Sequence, residues 1–176
     1  MRLIAVALTL SLITLPAHAK SGKSQPLVVT LKTSHGQDAG TATFKQAGDR
    51  VAIKLKLKNL PIGEHAVHIH QNPQCDAPDF KAAGPHFNPA GKQHGMLNPM
   101  GHHNGDLPNI SIDQNHVGEA TLKVDYLSLD PAAADSLFAN GGTSIVVHER
   151  SDDMKTDPAG NAGNRIACGV ITAARP

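Results

Sequence analysis

From Val51 to Lys58 the chain alternates strictly. Val51, Ile53, Leu55 and Leu57 are apolar, while Ala52, Lys54, Lys56 and Lys58 are small or charged. Successive side chains of a strand face opposite ways, so this pattern puts one face in a core and a row of lysines in water. Half-buried strands of this kind belong to antiparallel sheets. Residues 27–33, 41–46, 65–70, 120–124, 144–148 and 166–171 are further strand candidates. Gly- and Asn-rich breakers at 35–38, 47–49, 115–118 and 140–142 separate them. One short helical turn is expected at 130–134, capped by Asp130 with Pro131 at its first position. Aromatic residues are only 3% of the chain, so the core must rest on Val, Ile, Leu and Ala.

Two stretches do not read as strands. Residues 71–109 are rich in Pro, Gly and Asn, and residues 151–164 are short, polar and Gly-rich. A structureless insertion of that first length is unusual in a compact domain unless it is functional or pinned down. No internal repeat and no linker is visible, so residues 20–176 are expected to form one domain.

The first nineteen residues are expected to be removed. Arg2 precedes an apolar run over residues 3–15, and Pro16 with Ala17-His18-Ala19 forms a small-x-small cleavage pattern. The run is short for a bilayer span, so no membrane attachment is expected after cleavage. The expected location is the periplasm or the exterior. Arg2 is the only charge removed, so the formal charge falls from +1 to 0. That balance argues against a nucleic-acid partner held by a broad basic face. Export also changes the reading of Cys75 and Cys168: two cysteines in an oxidising compartment are expected to pair.

Eleven histidines are the outstanding feature of the composition. His68 and His70 alternate on a strand, so their rings share a face and can share a metal. Val67 and Ile69 then enter the core, which puts the metal outside the sheet and under the loops. The loop adds His86, His94, His103 and Asp106. Three imidazoles and a carboxylate make a closed tetrahedral zinc set. His102 competes with His103 for the third place. His148 ends an apolar strand and gains weight only from its company.

The motifs His68-Ile69-His70, Gly84-Pro85-His86-Phe87-Asn88-Pro89, His103-Asn104-Gly105-Asp106 and Val146-Val147-His148-Glu149 occur in that order. Gly160-Asn161-Ala162-Gly163-Asn164-Arg165-Ile166-Ala167-Cys168-Gly169 follows them. Together they resemble the copper/zinc superoxide dismutases over residues 27–171. The resemblance implies an all-β, Greek-key, immunoglobulin-like sandwich or flattened barrel with long metal-binding and electrostatic loops. It implies one copper ion held by His68, His70, His86 and His148. It implies one zinc ion held by His86, His94, His103 and Asp106, with His86 shared. It further implies a Cys75–Cys168 disulfide and an arginine, Arg165, above the copper. Asp152 matches the aspartate that links a copper histidine to a zinc histidine, here His68 and His94. His65 matches a histidine that ties loops without binding metal. His35 and His116 match no site and read as surface residues.

The implied activity is dismutation of superoxide to oxygen and hydrogen peroxide, with Arg165 and His86 as the acting side chains. The implied role is protection against superoxide outside the cytoplasm. A metal carrier on the same sandwich is the alternative, but such relatives lose copper ligands or the arginine. A zinc hydrolase would need an open coordination position, which a saturated set lacks. The chain departs from the family in having Ala66 where Gly is usual. Met96 and Met100 lie near the zinc loop, and Lys155 is a second candidate for steering charge. The sequence leaves a homodimer open.

Overall fold

The computed structural model describes residues 25–173, and the expected signal at residues 1–19 lies outside them. Among the described residues there are nine strands: β1 (Leu27–Thr33), β2 (Asp38–Ala47), β3 (Arg50–Lys58), β4 (Gly63–His65), β5 (Val67–His70), β6 (Ile110–Ile112), β7 (Val117–Val124), β8 (Thr143–His148) and β9 (Arg165–Ile171). Seven form one antiparallel sheet in the order β5-β8-β9-β1-β2-β3-β7, and β4 pairs with β6. The sheet curls on itself. Gly118 of β7 lies so close to β6 that a Cβ there would stand 2.7 Å from the Ser111 carbonyl oxygen. At the other end β4 runs into β5 through Ala66. Strand β3 pairs with β7 rather than β4, and β8 enters between β5 and β9. These crossings are those of a Greek-key flattened barrel, as expected.

The alternation on β3 is realised residue by residue. Val51, Ile53, Leu55 and Leu57 are buried while Lys54, Lys56 and Lys58 are exposed. Both halves of the curled sheet supply the core: Leu31, Phe44, Ile53 and Leu55 from one side, Ile69, Ile145, Val147 and Ile171 from the other.

The single strand expected at 65–70 is two. His65 pairs with Ile110 of β6, whereas Val67 pairs with Val147 of β8. Ala66 is the crossover, donating to the Arg150 carbonyl and accepting from the His148 amide, both at 2.9 Å. The turn at 130–134 does not become a helix. Asp130 caps the Ala132 amide at 2.9 Å, but Leu137 then bonds back to Ser128 and closes a loop. Short 3₁₀ turns occur instead at Lys81–Ala83 and Ala139–Gly141.

Strand β8 is buried on both faces. Its inner residues join the core. Its outer Val146 lies opposite His68 and Cys168 and packs under Phe80 and Ala83 of the long loop. Cys75 and Cys168 are joined in a disulfide, which pins that loop to β9.

Candidate metal centre

Strand register assembles the centre on the outer face of β5, β8 and β9. His68 lies opposite Val146 and His70 opposite Ser144. The outer residues of β8 are therefore Ser144, Val146 and His148. On β9 Cys168 opposes Val146 and Ala167 opposes Val147, but Arg165 opposes His148. Ile166 is skipped, as in a β-bulge. Strict alternation would turn Arg165 inward; the extra residue re-aims it to the metal side, while Ile166 packs against the core.

The loop is woven onto the sheet by strand-like bonds. Phe87 donates to the Ile69 carbonyl, Ile69 to Gly105 and Gly105 to Phe87, each at 2.8 Å. This brings His86 beside His70 and Asp106 beside His68. Gly105 is required there, because a Cβ would overlap the Ile69 carbonyl oxygen. The electrostatic loop over residues 151–164 delivers Asp152 from above. Its Oδ2 lies 2.9 Å from His68 Nε2 and its Oδ1 2.9 Å from His94 Nε2.

His68, His70, His94 and His148 each have one nitrogen anchored and one facing their neighbours. His70 Nδ1 donates to the Gly84 carbonyl at 2.8 Å and His148 Nδ1 to Gly163 at 3.3 Å. The buried nitrogens His68 Nδ1 and His86 Nε2 have no hydrogen-bond partner. Buried polar atoms are nearly always satisfied, so two such nitrogens side by side suit metal ligation. One donor atom each of His68, His70, His86 and His148 lies within 4.8 Å of the others. Asp106 Oδ1 lies 2.9 Å from His86 Nδ1, 3.0 Å from His94 Nδ1 and 3.3 Å from His103 Nδ1. His103 Nδ1 is 3.4 Å from His86 Nδ1. An ion ~2.0 Å from four tetrahedral donors spaces those donors ~3.3 Å apart, so the set fits zinc. The four residues whose donor atoms all lie within 4.8 Å of one another here are His68, His86, His94 and Asp106, with His68 in the place the resemblance implies for His103. The His68 Nε2 is taken by Asp152, however, and its remaining nitrogen completes the first group.

Burial, reinforced by His68, lowers His86 to about 4. Burial and the neighbouring histidines also hold His70 and His148 well below the usual value. These rings are neutral at pH 7, as metal ligands must be. Burial would raise Asp106, but bonds from His103, His86 and His94 outweigh it and hold the carboxylate far below its ordinary range. Burial would lower His94, yet Asp106 and Asp152 push it up to about 9.

The family model described as "Copper/zinc superoxide dismutase (SODC)" matches residues 38–171. The chain belongs to this family. It is 48% identical to "Superoxide dismutase [Cu-Zn] 1" of Aquifex aeolicus, over 77% of this chain and 81% of that one. It is 44% identical to "Superoxide dismutase [Cu-Zn]" of Caulobacter vibrioides, over 80% and 82% of the two chains. Among solved structures, a superoxide dismutase-like protein of Bacillus subtilis superposes with TM-score 0.79 at 34% identity, covering 82% of this chain and 97% of that one. The Cu/Zn superoxide dismutase of Brucella abortus gives 0.67 at 28% identity, over 84% and 99%.

In this superoxide dismutase the way to the histidines is a channel lined by His70, His86, His148, Lys81, Pro158 and Arg165. Arg165 is held by the loop: Nη1 donates to the Phe80 carbonyl and Nη2 to Gly84, both at 2.7 Å. Lys155 is exposed and does not line the channel, whereas Lys81 does. Lys81 is the cation that sequence reasoning overlooked, although it stands five residues before His86. His65 behaves as expected, bonding the carbonyls of His148 at 2.8 Å and Pro61 at 2.9 Å. His35 and His116 are exposed. His102 bonds its neighbour's carbonyl and stacks edge-on to Tyr126, so it does not compete with His103.

Two supporting residues left no signal in the sequence. Asn109 clamps the backbone of Asp152, donating to its carbonyl at 3.0 Å and accepting its amide at 2.9 Å. Tyr126 donates to the Asp106 carbonyl at 3.2 Å, and Asn104 donates to the Tyr126 carbonyl at 2.7 Å. Both fix residues of the centre from neighbouring segments.

Proposed function

We propose that this superoxide dismutase holds copper with His68, His70, His86 and His148, and zinc with His86, His94, His103 and Asp106. The observation that carries this reading is the position of His86. Its Nδ1 faces Asp106 and its Nε2 stands without a partner among the other histidines. When bound, copper supplies reversible one-electron transfer, which zinc, having no redox chemistry, does not. Two superoxide anions and two protons give one oxygen and one hydrogen peroxide.

The side chains divide the remaining work. Arg165, permanently charged and fixed on two carbonyls, docks the anion at the mouth of the channel. His86 Nε2 takes up a proton and hands it to the nascent peroxide. Asp152 orients His68 and His94 through one carboxylate, the usual task of such an outer partner. The disulfide and the bacterial relatives fit a place outside the cytoplasm, and we assign the chain to the periplasm or the exterior, exported by residues 1–19. A metal carrier without turnover is disfavoured because all four copper candidates cluster and three of them line the channel with Arg165.

His148→Ala tests the split between the two metals. His148 lies apart from Asp106 and serves the first set alone. The variant is expected to lose copper and activity while keeping near-stoichiometric zinc, read by metal analysis beside a superoxide assay. Equal loss of both metals would contradict the assignment.

A further inference from the structure

The formal charge of the chain conceals how its charges are spread. The outer face of β1, β2, β3 and β7 carries Lys32, Lys45, Lys54, Lys56, Lys58 and Lys123, all exposed. Two acids share that face: Asp38 pairs with Lys58 at 2.7 Å and Glu119 meets Lys56 at 3.9 Å. With Arg50, exposed on the same face of β3, seven cations against two acids leave +5 on one face of a chain whose total is +1, so the remainder carries −4. Among the described residues Lys45, Lys54 and Lys123 make no ion pair. Lys45 and Lys123 flank Ala52 from either side, and Lys54 lies one row further along between Thr43 and Thr121. Thr30 and Thr41 fill the next row beside Lys56. The face is thus a grid of lysine and threonine, with rows ~7 Å apart and strands ~4.8 Å apart.

We propose that this face docks the enzyme reversibly on an anionic phospholipid surface. A broad sheet face presents its charges to many headgroups at once. Single-stranded polyanions are instead held by stacking aromatics along a basic groove; the hollow on this face, between Thr30, Thr41, Lys56 and Val117, has no aromatic lining and includes Asp38 and Glu119. Clusters of four to eight basic residues are the size that anionic leaflets recruit. Among the described residues no helix is long and apolar enough to cross a membrane, so the contact is peripheral. His68, His70, His148 and Arg165 lie on the other outer face of the barrel. Docking therefore leaves the channel open to solution. The expectation of no membrane attachment rested on the short apolar run at residues 3–15, which says nothing of a charged face elsewhere. The cellular setting rests on the proposed export; the binding itself does not.

The test uses the metal-loaded protein and vesicles of phosphatidylglycerol with phosphatidylcholine, against phosphatidylcholine alone. At about 50 mM salt, where exposed charges act over more than 10 Å, the enzyme is expected to sediment with the anionic vesicles only. About 0.5 M salt should release it. The triple reversal Lys45→Glu, Lys54→Glu, Lys123→Glu should weaken binding by at least ~10-fold. Its melting temperature and its copper and zinc contents should match the parent's. Lys92→Glu, on the metal-binding loop, should bind like the parent. Equal binding by the triple variant and the parent, or no preference for the anionic vesicles, would overturn the proposal. So would displacement by dextran sulfate at a lower charge concentration than the vesicles, which would make the face a polymer site.

Discussion

Asp106 is the residue on which the zinc set turns. Its Oδ1 faces three imidazoles, and its Oδ2 accepts the amides of Gly95 at 2.8 Å and His103 at 3.0 Å. Asp106→Ala removes a proposed zinc ligand and frees two segments of loop together. A ligand present at a thousand times its Kd stabilises by about 4 kcal/mol, so losing it should lower the melting temperature by about 10 °C in a domain of this size. Copper-loaded activity should fall less than zinc content; an unchanged melting temperature would sink this. Protons give a second check on the same residues. The folded state holds His86, His70 and His148 below the value of a free imidazole, so the unfolded chain binds protons that the folded chain refuses. Their contribution is complete above about pH 6.5 and is lost as the pH falls toward 4. His94, pushed up to about 9, acts the other way and loses its contribution as the pH rises from 6.5 to 9. Metal-free protein should therefore melt highest near neutrality and fall more steeply on the acid side. A higher melting temperature at about pH 4.5 than at 7 would contradict these directions. The histidines themselves were legible in the sequence because their residue type is rare and chemically committed. Asn109 and Tyr126 were not, since an asparagine before a strand and a lone tyrosine fit any loop.

Elements set the centre through register more than through their individual residues. The alternation of β3 could be read directly, because both of its neighbours preserve it. The division of residues 65–70 could not, because a change of partner at Ala66 leaves no mark in hydrophobic period. Strand β6 is three residues long, too short to show a period at all. The bulge on β9 was equally hidden, although it decides which way Arg165 points. The disulfide ties these parts together, its cysteines 93 positions apart in sequence. Closing such a loop contributes about 4–5 kcal/mol in the chain-entropy account. The double variant Cys75→Ser, Cys168→Ser should melt at least ~10 °C lower. It should also turn over more slowly even when fully metallated, because Phe80 and Gly84, which hold Arg165, lie on the freed loop. Parent-like melting would refute the anchoring role. Two titratable thiols in non-reduced, unfolded parent protein would refute the bond itself.

For the whole molecule the question is how a small anion finds one channel. The mature chain expected from the sequence has no net charge, and the lysine face pulls superoxide toward the wrong side. Attraction to the channel must then come from Arg165, helped by Lys81, which Asp79 partly neutralises at 2.8 Å. This family is itself a known case of electrostatic steering, which sets the scale of the effect. The second-order rate should fall as ionic strength rises. Arg165→Ala should lower it on the order of tenfold with copper content unchanged. Arg165→Lys should recover part of the loss, keeping charge but not the planar fork, and Arg165→Glu should be worse than Ala. Equal rates across the equally metallated series would remove Arg165 from guidance.

The Gly84 carbonyl oxygen receives both Arg165 Nη2 and His70 Nδ1. One acceptor thus serves the receptor for the anion and a ring proposed to bind the redox ion. Electron density drawn toward the guanidinium is density withheld from the imidazole. Anything that tugs Arg165 away, an arriving superoxide included, tightens the grip of Gly84 on His70 and makes its far nitrogen a stronger base. An anion that drew Arg165 off this carbonyl would be felt at the His70 ring through a single peptide oxygen, without any movement of the barrel.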